Sequence, residues 1–307
     1  MRKMLSILFC ACSLSVFGQG FERVVFNEKI ANGYYLALMP KTDAIKGVLV
    51  LMPGFGEAAE NIFPESKLPN VAYANGLLTI MIAGGQKLYA DEGVTARLND
   101  CLVHVKKKYN VAPNKFIIGG FSAGGAISVR YAEYCLEKKT EAPIIPQAVF
   151  TVDSPIDLFA IWDYFEREKL KNFSEVGVAE ANFVSEMMLN EIGDPSKNAD
   201  RYNALTPFNK QLNEPGNEKY LASIPVRVYH DIDVEWQLKN RRRSLFDSNA
   251  LEASELISRL LLAGNNHAEF MTAKRPGFRS NGMRHTHSWS IVDEVEMIQW
   301  VLKSLDQ

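Results

Sequence analysis

Short apolar runs alternate along this chain with longer segments whose apolar residues recur every three or four positions. The runs fall at 24–26, 34–39, 48–52, 78–83, 116–119, 148–152, 226–230 and 269–272. Several, such as Val48-Leu49-Val50-Leu51-Met52, are apolar throughout, the pattern of strands buried on both faces. Helical spacing marks 91–108, 124–138 and 249–264, and in the closing segment 290–305 Ile291, Val295, Ile298 and Leu302 share one face. Strands and helices in alternation predict an α/β fold, a mainly parallel central sheet with helices on both sides. The interval 159–217 breaks the rhythm. It holds Trp162, Tyr164, Phe165, Phe173, Phe183, Met187 and Met188 but no strand-like run, and reads as a mostly helical insertion lying over the strand ends as a cap.

Composition narrows the class. A chain of 307 residues with 47% hydrophobic and 23% charged content is an ordinary globular protein, here read as one large domain. Residues 1–18 have a basic start at Arg2 and Lys3, an apolar run from Met4 to Phe17, and small residues before Gln19. This is the layout of a secretory signal peptide, too short to span a bilayer, so the mature domain is expected over 19–307 in a secreted or periplasmic location. Without Arg2 and Lys3 the formal charge of −2 becomes −4, a mild balance that offers nucleic acid no footprint. Cys101 and Cys135 remain after cleavage, each on an apolar helical face, and are expected as buried free thiols.

Chemistry concentrates first at Phe116-Ile117-Ile118-Gly119-Gly120-Phe121-Ser122-Ala123-Gly124, where a buried strand breaks into Gly-x-Ser-x-Gly and then into a helix. At ordinary glycine and serine frequencies of about 7%, that pentapeptide arises by chance in roughly one of ten such chains. Its meaning comes from the strand before it and the small-residue helix after it, together the layout of a nucleophile elbow. Such a turn exposes the Ser122 hydroxyl above a helix N-terminus, where a base can take its proton. A second signal is Pro53-Gly54-Phe55-Gly56, a glycine-flanked turn ending the strand at 48–52. The backbone amides of Phe55 and Ala123 are candidates for an oxyanion hole.

A serine nucleophile also needs a base and an orienting acid. Asp231 and Asp233 follow the strand at 226–230, while Asp153 and Asp157 follow that at 148–152. Among the five histidines, His285 and His287 lie in the loop before the last helix, with His287 nearer the helix and Trp289 placed to pack beneath it. His285-x-His287 is also a possible pair of metal ligands, but no clear carboxylate or cysteine completes a set, and a serine nucleophile with its base and acid needs neither metal nor organic cofactor.

The order Phe55, Ser122, Asp233, His287 resembles the α/β-hydrolase superfamily, in particular its secreted esterase and prolyl-oligopeptidase-like branches. Pro53-Gly54-Phe55-Gly56 resembles the family's oxyanion turn, and Tyr202-Asn203-Ala204-Leu205-Thr206-Pro207 its Tyr…Ser-Pro stretch. Tyr229-His230-Asp231-Ile232-Asp233 is similar to its His-Gly-x-x-Asp pattern, and His287-Ser288-Trp289 to its terminal His-x-Trp. The resemblance covers nearly the whole mature chain and implies a serine hydrolase acting on a small-molecule carboxylic ester through an acyl-enzyme. In that scheme Ser122 is the nucleophile, His287 the base and Asp233 the acid. A peptidase or amidase on the same triad and a non-catalytic carbohydrate- or peptide-binding relative are the rival expectations.

Overall fold

Eight strands pair into one sheet in the computed structural model, which describes residues 20–42 and 44–306. The signal peptide expected over residues 1–18 lies outside the described residues. The strands are β1 (Glu22–Val25), β2 (Tyr34–Leu38), β3 (Gly47–Met52), β4 (Leu77–Met81), β5 (Phe116–Phe121), β6 (Pro146–Val152), β7 (Val226–His230) and β8 (Ala268–Thr272). Their order across the sheet is β1-β2-β4-β3-β5-β6-β7-β8. From β4 to β8 all neighbours run parallel, and the antiparallel pairings, β1 with β2 and β2 with β4, lie at one edge. Each predicted strand is present within a few residues of its expected ends, and the runs that are apolar throughout, such as β3 and β5, are buried along their whole length.

Helices α1 (Ile62–Glu65) and α2 (Leu68–Ala74) precede β4, α3 (Glu92–Tyr109) precedes β5, and α4 (Ala123–Glu137) follows it. Between β6 and β7 come α5 (Leu158–Lys171), α6 (Glu175–Glu191) and α7 (Ala199–Leu205); α8 (Val234–Arg241) and α9 (Ala250–Leu262) precede β8, and α10 (Glu294–Leu305) follows it. The alternation along β3 divides the core. Val48, Val50 and Met52 pack into the layer holding Leu98, Leu102 and Val105 of α3 and Ile127 of α4. Leu49 and Leu51 face the layer built by Ile298 and Val301 of α10. Each such buried aliphatic side chain contributes about 1.5–3 kcal/mol relative to leaving it in water. A third, smaller cluster lies apart from both layers, where Leu158 and Phe165 of α5, Val184 and Met188 of α6 and Tyr202 of α7 pack on Ala123, Leu88 and Tyr89.

The helix ends follow local chemistry. Asp91 caps α3 by accepting the Val94 amide at 2.8 Å, and the helix stops at Asn110 in the left-handed region. The closing helix starts at Glu294, not at residue 290, because Asp293 caps it and Trp289–Ile291 form a separate 3-10 turn with Trp289 and Ile291 buried. Thr206, in the Tyr-to-Pro stretch before β7, donates to the Phe208 carbonyl at 2.8 Å and accepts the Leu158 amide at 3.0 Å. That hydroxyl ties the segment after α7 to the start of α5. No helix among the described residues is long and apolar enough to cross a membrane.

Cys101 and Cys135 are free and buried on facing helices α3 and α4. Burial raises both thiols, that of Cys135 to about 12, and only the thiolate attacks a disulfide. Folded protein treated with a disulfide reagent at pH 8 is therefore expected to leave both unmodified, with labelling appearing only in denaturant, as read by peptide mass. Rapid labelling of Cys101 or Cys135 in native buffer would contradict the packing described here.

Candidate active site

The parallel strands β3, β5, β6 and β7 deliver their C-terminal ends to one side of the sheet, and the reactive side chains sit just beyond those ends. Ser122 follows β5 directly, with φ 54° and ψ −128°, a conformation that L residues rarely adopt. Surrounding structure imposes it. The Ser122 amide donates to the Val152 carbonyl of β6 at 3.0 Å, while its own carbonyl accepts the Gly125 amide at 3.0 Å as α4 begins. The flanking glycines permit the close passage. A Cβ at Gly120 would lie 2.5 Å from the Met52 carbonyl oxygen, and one at Gly124 would overlap the carbonyl oxygens of Met52 and Pro53. The sequence Gly-x-Ser-x-Gly is thus read physically: the elbow presses against the end of β3.

That contact also brings the Pro53–Gly56 turn beside Ser122. The Gly54 amide donates to the Glu57 carboxylate at 2.8 Å, and the Gly56 amide to the Gly85 carbonyl at 3.0 Å. Those bonds fix the turn through its other amides, not through Phe55. Ala123 is the first residue of α4, so its amide has no acceptor within the helix. The Phe55 ring packs edge-on against Phe183 of α6, with centroids 6.3 Å apart.

His287 donates from Nδ1 to Asp153 Oδ2 at 2.7 Å. Its ring lies against Phe121, with centroids 4.4 Å apart, and Phe121 rests in turn on the buried Trp289 at 5.7 Å. The residue before Ser122 is thus part of the platform under the histidine. Asp153 immediately follows β6 and, like Ser122, has positive φ, 43°. Two outliers of this kind at adjacent strand ends are the backbone mark of a held site. Although burial opposes ionisation of Asp153, the imidazoles of His287 and His230 outweigh it and hold the carboxyl well below the usual carboxylate range.

His230 was not among the predicted site residues. Val152 pairs with Tyr229 in the β6–β7 register, so the next residues, Asp153 and His230, stand side by side. His230 Nδ1 lies 3.0 Å from Asp153 Oδ1, and its buried ring stacks on Phe270 with centroids 5.3 Å apart. Its Nε2 has no hydrogen-bond partner among the described residues, which favours the tautomer whose proton is on Nδ1 and directed at Asp153. The Asn249 side chain adds a longer bond to the same oxygen at 3.3 Å.

The structure corrects the assignment of the acid. Asp233 does not reach His287: its Oδ1 accepts the Trp236 amide at 3.0 Å, capping α8, and its Oδ2 pairs with Arg284 at 3.0 Å. Arg284 also pairs with Asp231 at 2.8 Å. Both aspartates after β7 therefore anchor the loop before α10. Asp157 is spent capping α5 through the Phe159 and Ala160 amides. His285 stands behind His287, its Nδ1 accepting the His287 backbone amide at 3.1 Å, so neither Nδ1 of the His-x-His pair is open to a metal. Burial lowers the His285 pKa to about 3, helped by His287 and by Arg241, Arg279 and Arg243, and the ring is neutral at physiological pH.

Ser122, Asp153 and His287 line one cavity of about 390 Å³ together with Phe55. Tyr164, Phe165 and Glu168 of α5 and Gly177 and Val184 of α6 form a wall of it. Parts of α5 and α6, between β6 and β7, thus line the cavity beyond the strand ends.

No protein-family model and no curated protein sequence matches the chain. In three dimensions it is similar to carboxyl esterase 2 of the mycorrhizal fungus Tuber melanosporum, with a TM-score of 0.58 and 12% identity over 94% of this chain and 88% of that one. It is also similar to MPT51 (FbpC1) of Mycobacterium tuberculosis, with a TM-score of 0.61 and 11% identity over 93% and 99% of the two chains. FphF, a fluorophosphonate-binding serine hydrolase of Staphylococcus aureus, superposes with a TM-score of 0.59 and 11% identity over 92% of this chain and 98% of its own. At such identities the likeness establishes the architecture, and the chain has the α/β-hydrolase fold.

The elbow contact can be tested on stability alone. Gly124→Ala forces a methyl group into the β3 backbone and is expected to cost about 3 kcal/mol or more, read as a lowered urea midpoint. A midpoint within error of the parent would show that β3 and the elbow do not touch as described.

Proposed function

We propose that this protein is a serine hydrolase that cleaves a small carboxylic ester through an acyl-enzyme, with Ser122 as nucleophile, His287 as base and Asp153 as the orienting acid. The observation that carries the reading is the meeting, in one cavity, of a serine held at a strained strand-to-helix turn and a histidine bound to a largely buried carboxylate at 2.7 Å. The fold supports it, and esterases and serine hydrolases occur among the structures of similar architecture. The basic and apolar start of the chain supports a secreted or periplasmic site of action.

In this mechanism the Ser122 Oγ attacks the ester carbonyl carbon while His287 Nε2 takes its proton. The imidazolium that forms is stabilised by Asp153 through Nδ1. The carbonyl oxygen becomes an oxyanion facing the amides of Phe55 and Ala123, each such donor contributing on the order of 3 kcal/mol to the transition state. Collapse breaks the ester C–O bond, and His287 returns the proton to the departing alcohol, leaving the acyl group on Ser122. A water then attacks the acyl carbon, His287 takes its proton, and the acid departs as the proton returns to Ser122. His230 acts as a positioning residue: by donating to the far oxygen of Asp153 it fixes the carboxylate plane and leaves Oδ2 for His287.

A fluorophosphonate probe is expected to label the parent protein at Ser122, whereas Ser122→Ala should show no labelling and at least about a thousandfold lower turnover of 4-nitrophenyl esters with unchanged melting. Unlabelled parent protein would defeat the reading, and faster turnover of anilides than of every ester tested would move it to a peptidase or amidase.

Asp153→Asn is expected to lower turnover by about a thousandfold to ten-thousandfold, and Asp233→Asn by less than about tenfold. The reverse ranking, measured on the same ester, would return the acid to β7.

His230→Phe keeps an aromatic ring beside Phe270 but removes the donor, and is expected to reduce kcat by about tenfold or more with KM little changed. His230→Asn supplies an amide N–H near the same position and should recover part of that loss. Equal kcat for the two variants would reduce His230 to a packing role.

A further inference from the structure

The charged side chains around the cavity are not all paired. Among the carboxylates lining it, Asp231 pairs with Arg284, Asp247 with Arg167 and Lys171, Glu252 with Lys210, and Glu168 with Arg243 at 3.0 Å. Asp153 takes the two imidazoles and Asp157 the α5 amides, which leaves Glu180, exposed on α6. The cations divide differently. Arg279 lies over the Phe121 ring at 4.9 Å and reaches Glu65 only at 3.9 Å. Arg241, the last residue of α8, pairs with no carboxylate among the described residues and lies over the Trp236 ring at 5.7 Å. It is partly buried; burial and then Arg243 disfavour its charge, and Tyr164, Glu168 and Glu180 offset this only in part. The rings of His285 and His287 stand on the same side of the cavity and bring no negative charge.

We propose that Arg241, assisted by Arg279, forms an anion subsite of this cavity, and that the preferred substrate is an ester carrying a carboxylate on the part remote from the scissile bond. The inference rests on the serine-hydrolase reading and names the substrate class for it. Arg241 supplies a planar fork of N–H donors matched to a carboxylate, and partial exclusion of water strengthens the pairing. The apolar stretch of the substrate lies between the two ends, against Phe55, Tyr164 and Phe165. An anionic ester thereby gains binding that a neutral ester of equal length lacks.

The test uses two fluorophosphonates of equal chain length, one ending in a carboxylate and the other in its methyl ester, and compares their second-order rates of Ser122 modification on the full chain. The parent protein is expected to favour the carboxylate probe by at least about tenfold, the scale of one charge-assisted pair. In Arg241→Gln the ratio should fall towards one, and in Arg241→Lys it should lie between. Arg242→Gln, altering a neighbour that does not line the cavity, should keep the parent ratio. Equal rates for the two probes on the parent, or an unchanged ratio in Arg241→Gln, would overturn the subsite while leaving the hydrolase reading in place. Absence of modification by either probe overturns both. Matched 4-nitrophenyl esters, one a glutarate monoester and one a valerate, should show the same ratio in kcat/KM, carried by KM.

Discussion

The Asp153 carboxylate accepts an imidazole at each of its oxygens, His287 on one side and His230 on the other, and the geometry of the site follows from that shared group. A buried carboxylate without partners would be costly, and one partner alone would leave an oxygen unsatisfied in low dielectric. Two imidazole donors satisfy both oxygens while fixing the plane of the carboxylate. His287 is thereby held from a loop that could otherwise swing, with Phe121 supplying the surface beneath it. Such an arrangement requires β6 and β7 to be neighbours in one register, because Asp153 and His230 meet only as the next residues after the paired Val152 and Tyr229.

The same parallel geometry explains the strain. Parallel strands finish together, so the chain must turn sharply away from several adjacent ends within a small volume. Ser122 and Asp153 take positive φ on neighbouring strands, and the backbone bond from the Ser122 amide to the Val152 carbonyl couples the two turns. Glycines at 120 and 124 let the elbow sit on the end of β3, which also brings the Phe55 turn beside Ser122. One close backbone approach therefore serves both the proposed nucleophile and the proposed oxyanion donors. Strain of about 1–3 kcal/mol at each such residue persists only because these surrounding contacts over-determine it.

Above this rigid floor, the helices between β6 and β7 contribute the cavity wall and a separate apolar cluster, while α8 and the loop before α10 contribute charge. The two aspartates after β7 belong to that second group. By pairing with Arg284 they anchor the loop that carries His285 and His287, so they influence the site through its scaffold. The division leaves Arg241 without a direct ion pair among the described residues, and the proposed choice of substrate follows from it.

Much of this was legible in the chain itself. Apolar runs named all eight strands, most plainly the central ones, where coverage on both faces leaves no polar period. Gly-x-Ser-x-Gly after such a run offered Ser122 as the candidate nucleophile and the loop before the last helix offered His287 as the candidate base, and the structure places both at one cavity. The acid was not decided locally. Asp153 and Asp233 each follow a buried strand, and a strand-end aspartate reads alike whether it caps a helix or faces a histidine. Register across β6 and β7, together with the charge of Arg284, separates the two, and both are long-range. His230 was hidden for the same reason: it is the last residue of an apolar run, and its role exists only because Asp153, at a separation of 77 residues, is its neighbour across the sheet. Sequence determined which elements form and where the serine stands; tertiary structure decided which carboxylate the histidine meets, since pairing between strands depends on the register of the whole sheet.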